Sequence, residues 1–96
     1  MRVVWTPSAI SRLEEIQDFI AQDSPQSAYR VAVEITSRTE ATLSNSPFAG
    51  RVGHSSGTRE FVLRGVPYIV VYQVTQDVEV LDVWHMSRQW PESFGD

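Results

Sequence analysis

Ile10, Leu13, Ile16 and Ile20 recur every three or four residues with Phe19 beside them, while Arg12, Glu14, Glu15 and Asp18 fill the positions between. That spacing lays the apolar side chains along one stripe of an α-helix and the charges along the other. Thr6 before Pro7 supplies the start: a side-chain oxygen to cap free N–H groups, then a residue with no N–H to satisfy. Ser24-Pro25 repeats the signal, and Ala28, Val31, Ala32, Ile35 and Leu43 continue at helical spacing towards Asn45. Only the Gln22-Asp23 connection separates the two helices, so the pattern predicts a helical hairpin.

After Ser44 the period is lost. The stretch SNSPFAGRVGHSSG, residues 44–57, reads as a loop from its composition. Three β-rich runs follow, Thr58–Arg64, Pro67–Val74 and Val78–His85. Gly65-Val66 and Thr75-Gln76-Asp77 between them are short enough for hairpin turns. With a short β-prone run at Arg2–Trp5, the expected order is β-α-α-β-β-β. This is an α+β domain whose N-terminal helical hairpin packs on a small antiparallel sheet. Alternation along the strands sends Arg59, Phe61 and Leu63 to one face and Glu60, Val62 and Arg64 to the other. In the central strand Tyr68, Val70 and Tyr72 oppose Ile69, Val71 and Gln73. Both faces of that strand are largely apolar, so a hairpin covering one of them is expected to leave an apolar surface in need of a partner.

At 96 residues the chain is expected to form one domain spanning 1–96. The absence of cysteine excludes a disulfide framework and a thiolate zinc site. No apolar run is long enough to span a bilayer, and MRVVWTP lacks the features of a signal peptide, which leaves a cytoplasmic protein as the expectation. Every basic residue is an arginine, and eight of them face twelve carboxylates for a net charge of -4. That balance argues against a general nucleic-acid binder, whose affinity comes largely from neutralising phosphates, although a local arginine cluster still makes a positive patch.

Candidate chemistry is sparse. No histidine or carboxylate cluster has metal-ligand spacing and no Gly-rich loop precedes a helix, so neither metal nor cofactor is expected. His54 sits in the Gly-rich loop with no visible partner and reads as solvent-facing. His85, between Trp84 and Met86, fits an acid–base role at neutral pH or a packed, capping one. Arg88 fits anion binding or a pairing with Asp82 or Glu60. Trp5, Trp84 and Trp90 suit the role of anchors in a small core, and an exposed one would suit a binding hot spot. Tyr68 and Tyr72 share a strand face, as core or as partner contacts.

Four short motifs follow the helical hairpin in order: Pro47 with Gly50-Arg51, then Gly57-Thr58-Arg59-Glu60, then Pro67-Tyr68-Ile69-Val70-Val71-Tyr72, and last Val83, His85, Arg88 and Trp90 as V-x-H-x-x-R-x-W. With Ser8-Ala9 and Leu13 in the hairpin, nearly the whole chain resembles the RelE/ParE superfamily of bacterial toxins from type II toxin–antitoxin modules. The resemblance implies a small growth-inhibiting toxin, of the kind found in plasmid stabilisation, neutralised by a cognate antitoxin. The antitoxin usually lays an extended or helical segment over the toxin, and operator DNA is reached only through it.

The resemblance leaves two modes of action. RelE-like members cleave mRNA on the ribosome; ParE-like members inhibit DNA gyrase. Metal-independent RNA cleavage needs a base, an acid and cations to stabilise the phosphorane. In the nucleolytic branch, cations at alternating positions of the first meander strand join one in the central strand and one near the end. Here those positions fall on Glu60, Val62 and Ile69, and only Arg88 remains. Arg59 and Arg64 reach the working face only through a one-residue register shift, which would turn the strand over. The candidate catalytic residues are therefore Arg88 and His85, with Arg59 and Arg64. The candidate partner contacts are Tyr68, Tyr72, Trp90 and Arg51. The missing cations favour a toxin that binds DNA gyrase. The alternatives are a ribosome-dependent mRNA endoribonuclease and a degenerate, non-toxic member.

Overall fold

The computed structural model describes residues 1–87. Both helices begin where the sequence signals them: α1 spans Pro7–Ala21 and α2 spans Pro25–Asn45. The Thr6 hydroxyl accepts the Ala9 N–H at 3.3 Å and donates to the Val80 carbonyl at 2.8 Å, so one side chain caps α1 and ties it to the sheet. Ser24 caps α2 by accepting the Ser27 N–H at 3.2 Å. Ala9 is the buried position of α1, and Ala28, Ala32, Ile35, Thr39 and Leu43 are those of α2.

The sheet has five strands: β1 at Val3–Trp5, β2 at Arg51–Val52, β3 at Arg59–Val62, β4 at Tyr68–Val74 and β5 at Val78–His85. Their spatial order is β1-β5-β4-β3-β2. The predicted meander is present as antiparallel β3, β4 and β5. Two features differ from the expectation. β1 runs parallel to β5, which makes the sheet mixed, and β2 lies inside the stretch read as loop. A two-residue strand is too short to show any alternation, so β2 exists through its pairing with Arg59 and Glu60 rather than through a pattern of its own.

The face carrying Phe61, Leu63, Tyr68, Val70 and Tyr72 lies under the helices, packed with Ala9, Ile35, Leu43, Val78, Val80 and Val83. Val80 and Val83 share that core although strict alternation would separate them. The reason is a β-bulge: Tyr72 pairs with Val80 while Val71 pairs with Asp82, leaving Leu81 as the extra residue. The bulge turns Val83 and His85 to the helix side and Asp82 and Trp84 to the other. The opposite face is not the apolar surface expected from sequence, because Ile69 and Val71 are buried at 4% and 0% exposure. Apolar exposure lies instead at Phe19, Tyr29 and Val33 on the helices and at Phe48 and Val52 beside β2. Among the described residues no helix is long and apolar enough to cross a membrane.

Candidate functional site

β3 carries a carboxylate on the face away from the helices. The Glu60 side chain is 1% exposed. Its Oε1 accepts from Arg51 Nε at 2.9 Å, and its Oε2 accepts from the His54 N–H at 3.1 Å and lies 2.7 Å from the His54 ring Nδ1. Burial pushes the Glu60 carboxyl up, but the hydrogen bonds from His54 and Arg51 outweigh it and hold the group below the usual glutamate range. Glu60 is therefore ionised and fully partnered. His54 is not simply solvent-facing, because six residues of loop bring it back onto the strand. The pair was legible only as a loop returning to its own strand; nothing in the periodicity marks it.

Gly50 sets how closely this segment approaches the sheet. Its N–H donates to the Tyr72 hydroxyl at 2.9 Å, and a Cβ at this position would lie 2.7 Å from that oxygen and 2.8 Å from the Glu60 carbonyl. Burial raises the Tyr72 pKa, against smaller opposing effects of the Gly50 N–H and Arg59. Arg59 donates to the Gly50 carbonyl at 2.7 Å and the Phe48 carbonyl at 3.3 Å, with its guanidinium carbon 5.0 Å from the Phe48 ring centroid. Arg59 is thus a clamp on the chain entering β2. Beside β3 runs an open groove of 810 Å³, whose lining includes Arg51, Val62, Arg64, Val66 and Met86.

The other region of interest is the end of β5. The His85 ring meets Tyr68 edge-on at 5.2 Å, and its Nδ1 accepts the Ser87 N–H at 3.1 Å with the Ser87 hydroxyl 2.7 Å away. The backbone N–H makes Nδ1 an acceptor, which leaves the proton of a neutral His85 on Nε2. On the far side of β5, Arg12 Nε donates to Asp82 Oδ1 at 2.9 Å, and its guanidinium carbon sits 5.5 Å from the Trp84 ring centroid. Asp82, a possible partner of Arg88 in the sequence, has Arg12 as a partner from 70 positions away. No local pattern signals that. A smaller cavity of 270 Å³ lies here, lined by Phe19, Tyr68, Trp84 and His85 among others.

The sequence-derived candidates among the described residues are not brought together. Arg59 pairs across β4 with Tyr72, whereas His85 pairs with Tyr68. Four residues of strand, about 13 Å, separate those levels. Arg64 is exposed at the end of β3, where its carbonyl accepts from Arg38. Tyr72, offered as core or partner contact, is core: it is 0% exposed beneath the helices and presents nothing to a partner. Tyr68 is 7% exposed and also belongs to the core, reaching the rim of the smaller cavity. Arg51 stays exposed while holding Glu60. Arg88 and Trp90 lie outside the described residues. Among the described residues no group of three or more His, Asp or Glu side chains is placed to hold a metal ion.

Comparison with known proteins agrees with this architecture. The family described as "ParE toxin of type II toxin-antitoxin system, parDE" matches residues 3–90. The Sinorhizobium fredii protein named "Putative toxin Y4kP" is 43% identical over 91 residues, covering 95% of this chain and 94% of the relative. "Toxin RelE2" of Caulobacter vibrioides is 33% identical over 88 residues, covering 91% of this chain and 97% of that one. A solved structure described as "Chromosomal ParDE TA system from P. aeruginosa" superposes with a TM-score of 0.81 at 22% identity, over 91% of this chain and 97% of that one, which is likeness of fold. The chain belongs to the ParE toxin family of type II toxin–antitoxin systems.

Proposed function

We propose that this toxin acts in the cytoplasm by gripping a protein target, DNA gyrase, without chemistry of its own. The observation that carries the reading is Glu60. At a position where the resemblance to nucleolytic members calls for a cation, a buried carboxylate is locked by Arg51 and His54. Val62 and Ile69, at the other two cation positions, pair across β3 and β4 and add no charge. Two arginines beside this face are already committed, Arg51 to Glu60 and Arg59 to the Phe48 and Gly50 carbonyls. Loss of preorganised cations removes the largest contribution to stabilising a phosphorane.

The family assigns the toxin a cognate antitoxin as partner. In our reading that protein also makes any contact with operator DNA. The test is purified toxin with gyrase and relaxed plasmid. Inhibited supercoiling with accumulation of cleaved complexes is expected; unaffected supercoiling with no cleaved complexes would remove gyrase as the target. The competing reading, ribosome-dependent mRNA cleavage through Arg88 and His85, draws on the RelE name of one relative.

A further inference from the structure

We infer that the outward face of α2 pairs with the same face of a second copy of this chain, antiparallel about a two-fold axis at the level of Ile35. The inference goes beyond the reading of the target and stands whichever target is correct. It starts from what the helix leaves on its solvent side. Tyr29, Arg30, Val33, Ser37, Glu40 and Ala41 are exposed along one stripe, opposite the buried Ala28, Ala32, Ile35, Thr39 and Leu43. Tyr29 and Val33, 72% and 42% exposed, are the large apolar residues of that stripe.

Charge selects the occupant. α2 carries four charged side chains, of which Glu34 and Arg38 pair with each other at 3.3 Å. The other two, Arg30 and Glu40, have no ion pair among the described residues. Each lies five residues from Ile35, one on either side, which is about 7.5 Å along the helix axis. A partner carrying one sign of charge would satisfy one of them and repel the other. The same helix running the opposite way brings a glutamate level with each arginine, twice over.

Size follows the same symmetry. Val33 and Ser37 lie two residues either side of Ile35, and Tyr29 and Ala41 lie six, so each larger side chain comes level with a smaller one of the partner. An inclined crossing lets such ridges and grooves interlock. The hydroxyls on this side are already satisfied. Ser37 donates to the Val33 carbonyl at 2.6 Å and Thr36 to the Ala32 carbonyl at 3.0 Å, so covering the stripe strands neither. The resulting contact is isologous, the commonest closed form of association. It joins the two helix layers and leaves the two sheets on the outside.

The test is sedimentation velocity on the purified full chain over a range of concentrations. A reversible dimer is expected, weakened at least tenfold by Val33→Asp and several-fold by added salt. Arg30→Glu alone and Glu40→Arg alone should each weaken it at least tenfold, because like charges then meet. The two variants mixed, or both substitutions in one chain, should restore the wild-type affinity. All three positions are exposed, so the variants should keep the circular dichroism of the wild type. A chain that stays monomeric at millimolar concentration would overturn the inference. So would a dimer that persists in folded Val33→Asp, or charge variants that do not recover on mixing. A monomeric toxin that still inhibits gyrase would sink the pairing and leave the target reading standing; a dimer that leaves gyrase untouched would do the reverse.

Discussion

The two edges of this sheet begin alike and end differently. Each is flanked by a strand too short to cover it: β1 reaches only Val80 of β5, and β2 reaches only Glu60 of β3. Beyond β1 the chain turns into α1, which closes the gap. Thr6 bonds to the Val80 carbonyl, and Asp82 accepts the outward-facing Val83 N–H at 2.8 Å while Arg12 holds its carboxylate. Beyond β2 nothing comparable follows along the strand among the described residues. The Arg51–Glu60–His54 cluster fastens β2 and its loop, then stops one rung before Val62. Both edges thus use a carboxylate held by an arginine. One closes an edge with it, and the other fixes where the cover ends.

The contrast predicts an ordered set of stability losses. Gly50→Ala should be the most damaging, at about 1–3 kcal/mol, because the new methyl group must displace Tyr72 or the β3 backbone. Thermal or urea unfolding reads it. Glu60→Gln should follow at about 2 kcal/mol, the scale of hydrogen bonds to a buried charged group.

Its pH dependence carries a definite sign. The folded-state pKa of Glu60 is depressed, so its stabilisation is present above the ordinary glutamate range and is lost as pH falls through the lowered value. Wild type and Glu60→Gln should therefore converge in urea midpoint on the acid side and separate towards neutral pH; a gap that persists in acid would contradict the network. Asp82→Asn should cost less, about 1 kcal/mol, because Asp82 and Arg12 are partly open to solvent and water screens the pair. Equal losses at Glu60 and Asp82 would erase the distinction between the two edges.

The helices were legible because two independent signals agreed. The caps at Thr6 and Ser24 and the apolar stripes fixed the same boundaries. The meander was legible from Gly65-Val66 and Thr75-Gln76-Asp77, and β5 spans Val78–His85 as read. What could not be read has physical reasons. β2 has two residues and so no period. The bulge at Leu81 is a mismatch between two strands, invisible in either alone, yet it decides that Val83 joins the core and Asp82 does not. Tyr72 could be placed on a strand face but not in a layer, because both faces of β4 are apolar. Glu60 was noticed as the wrong charge for a nuclease; its partners at Arg51 and His54 depend on a loop conformation that composition does not specify.

We propose that this toxin arrests growth without cutting RNA. Mapping transcript ends in cells after induction tests it most directly. Intact transcripts in arrested cells, whether the chain is wild type or Arg88→Ala, are the predicted result. Codon-positioned cuts that appear with the wild-type chain and vanish in Arg88→Ala would contradict it.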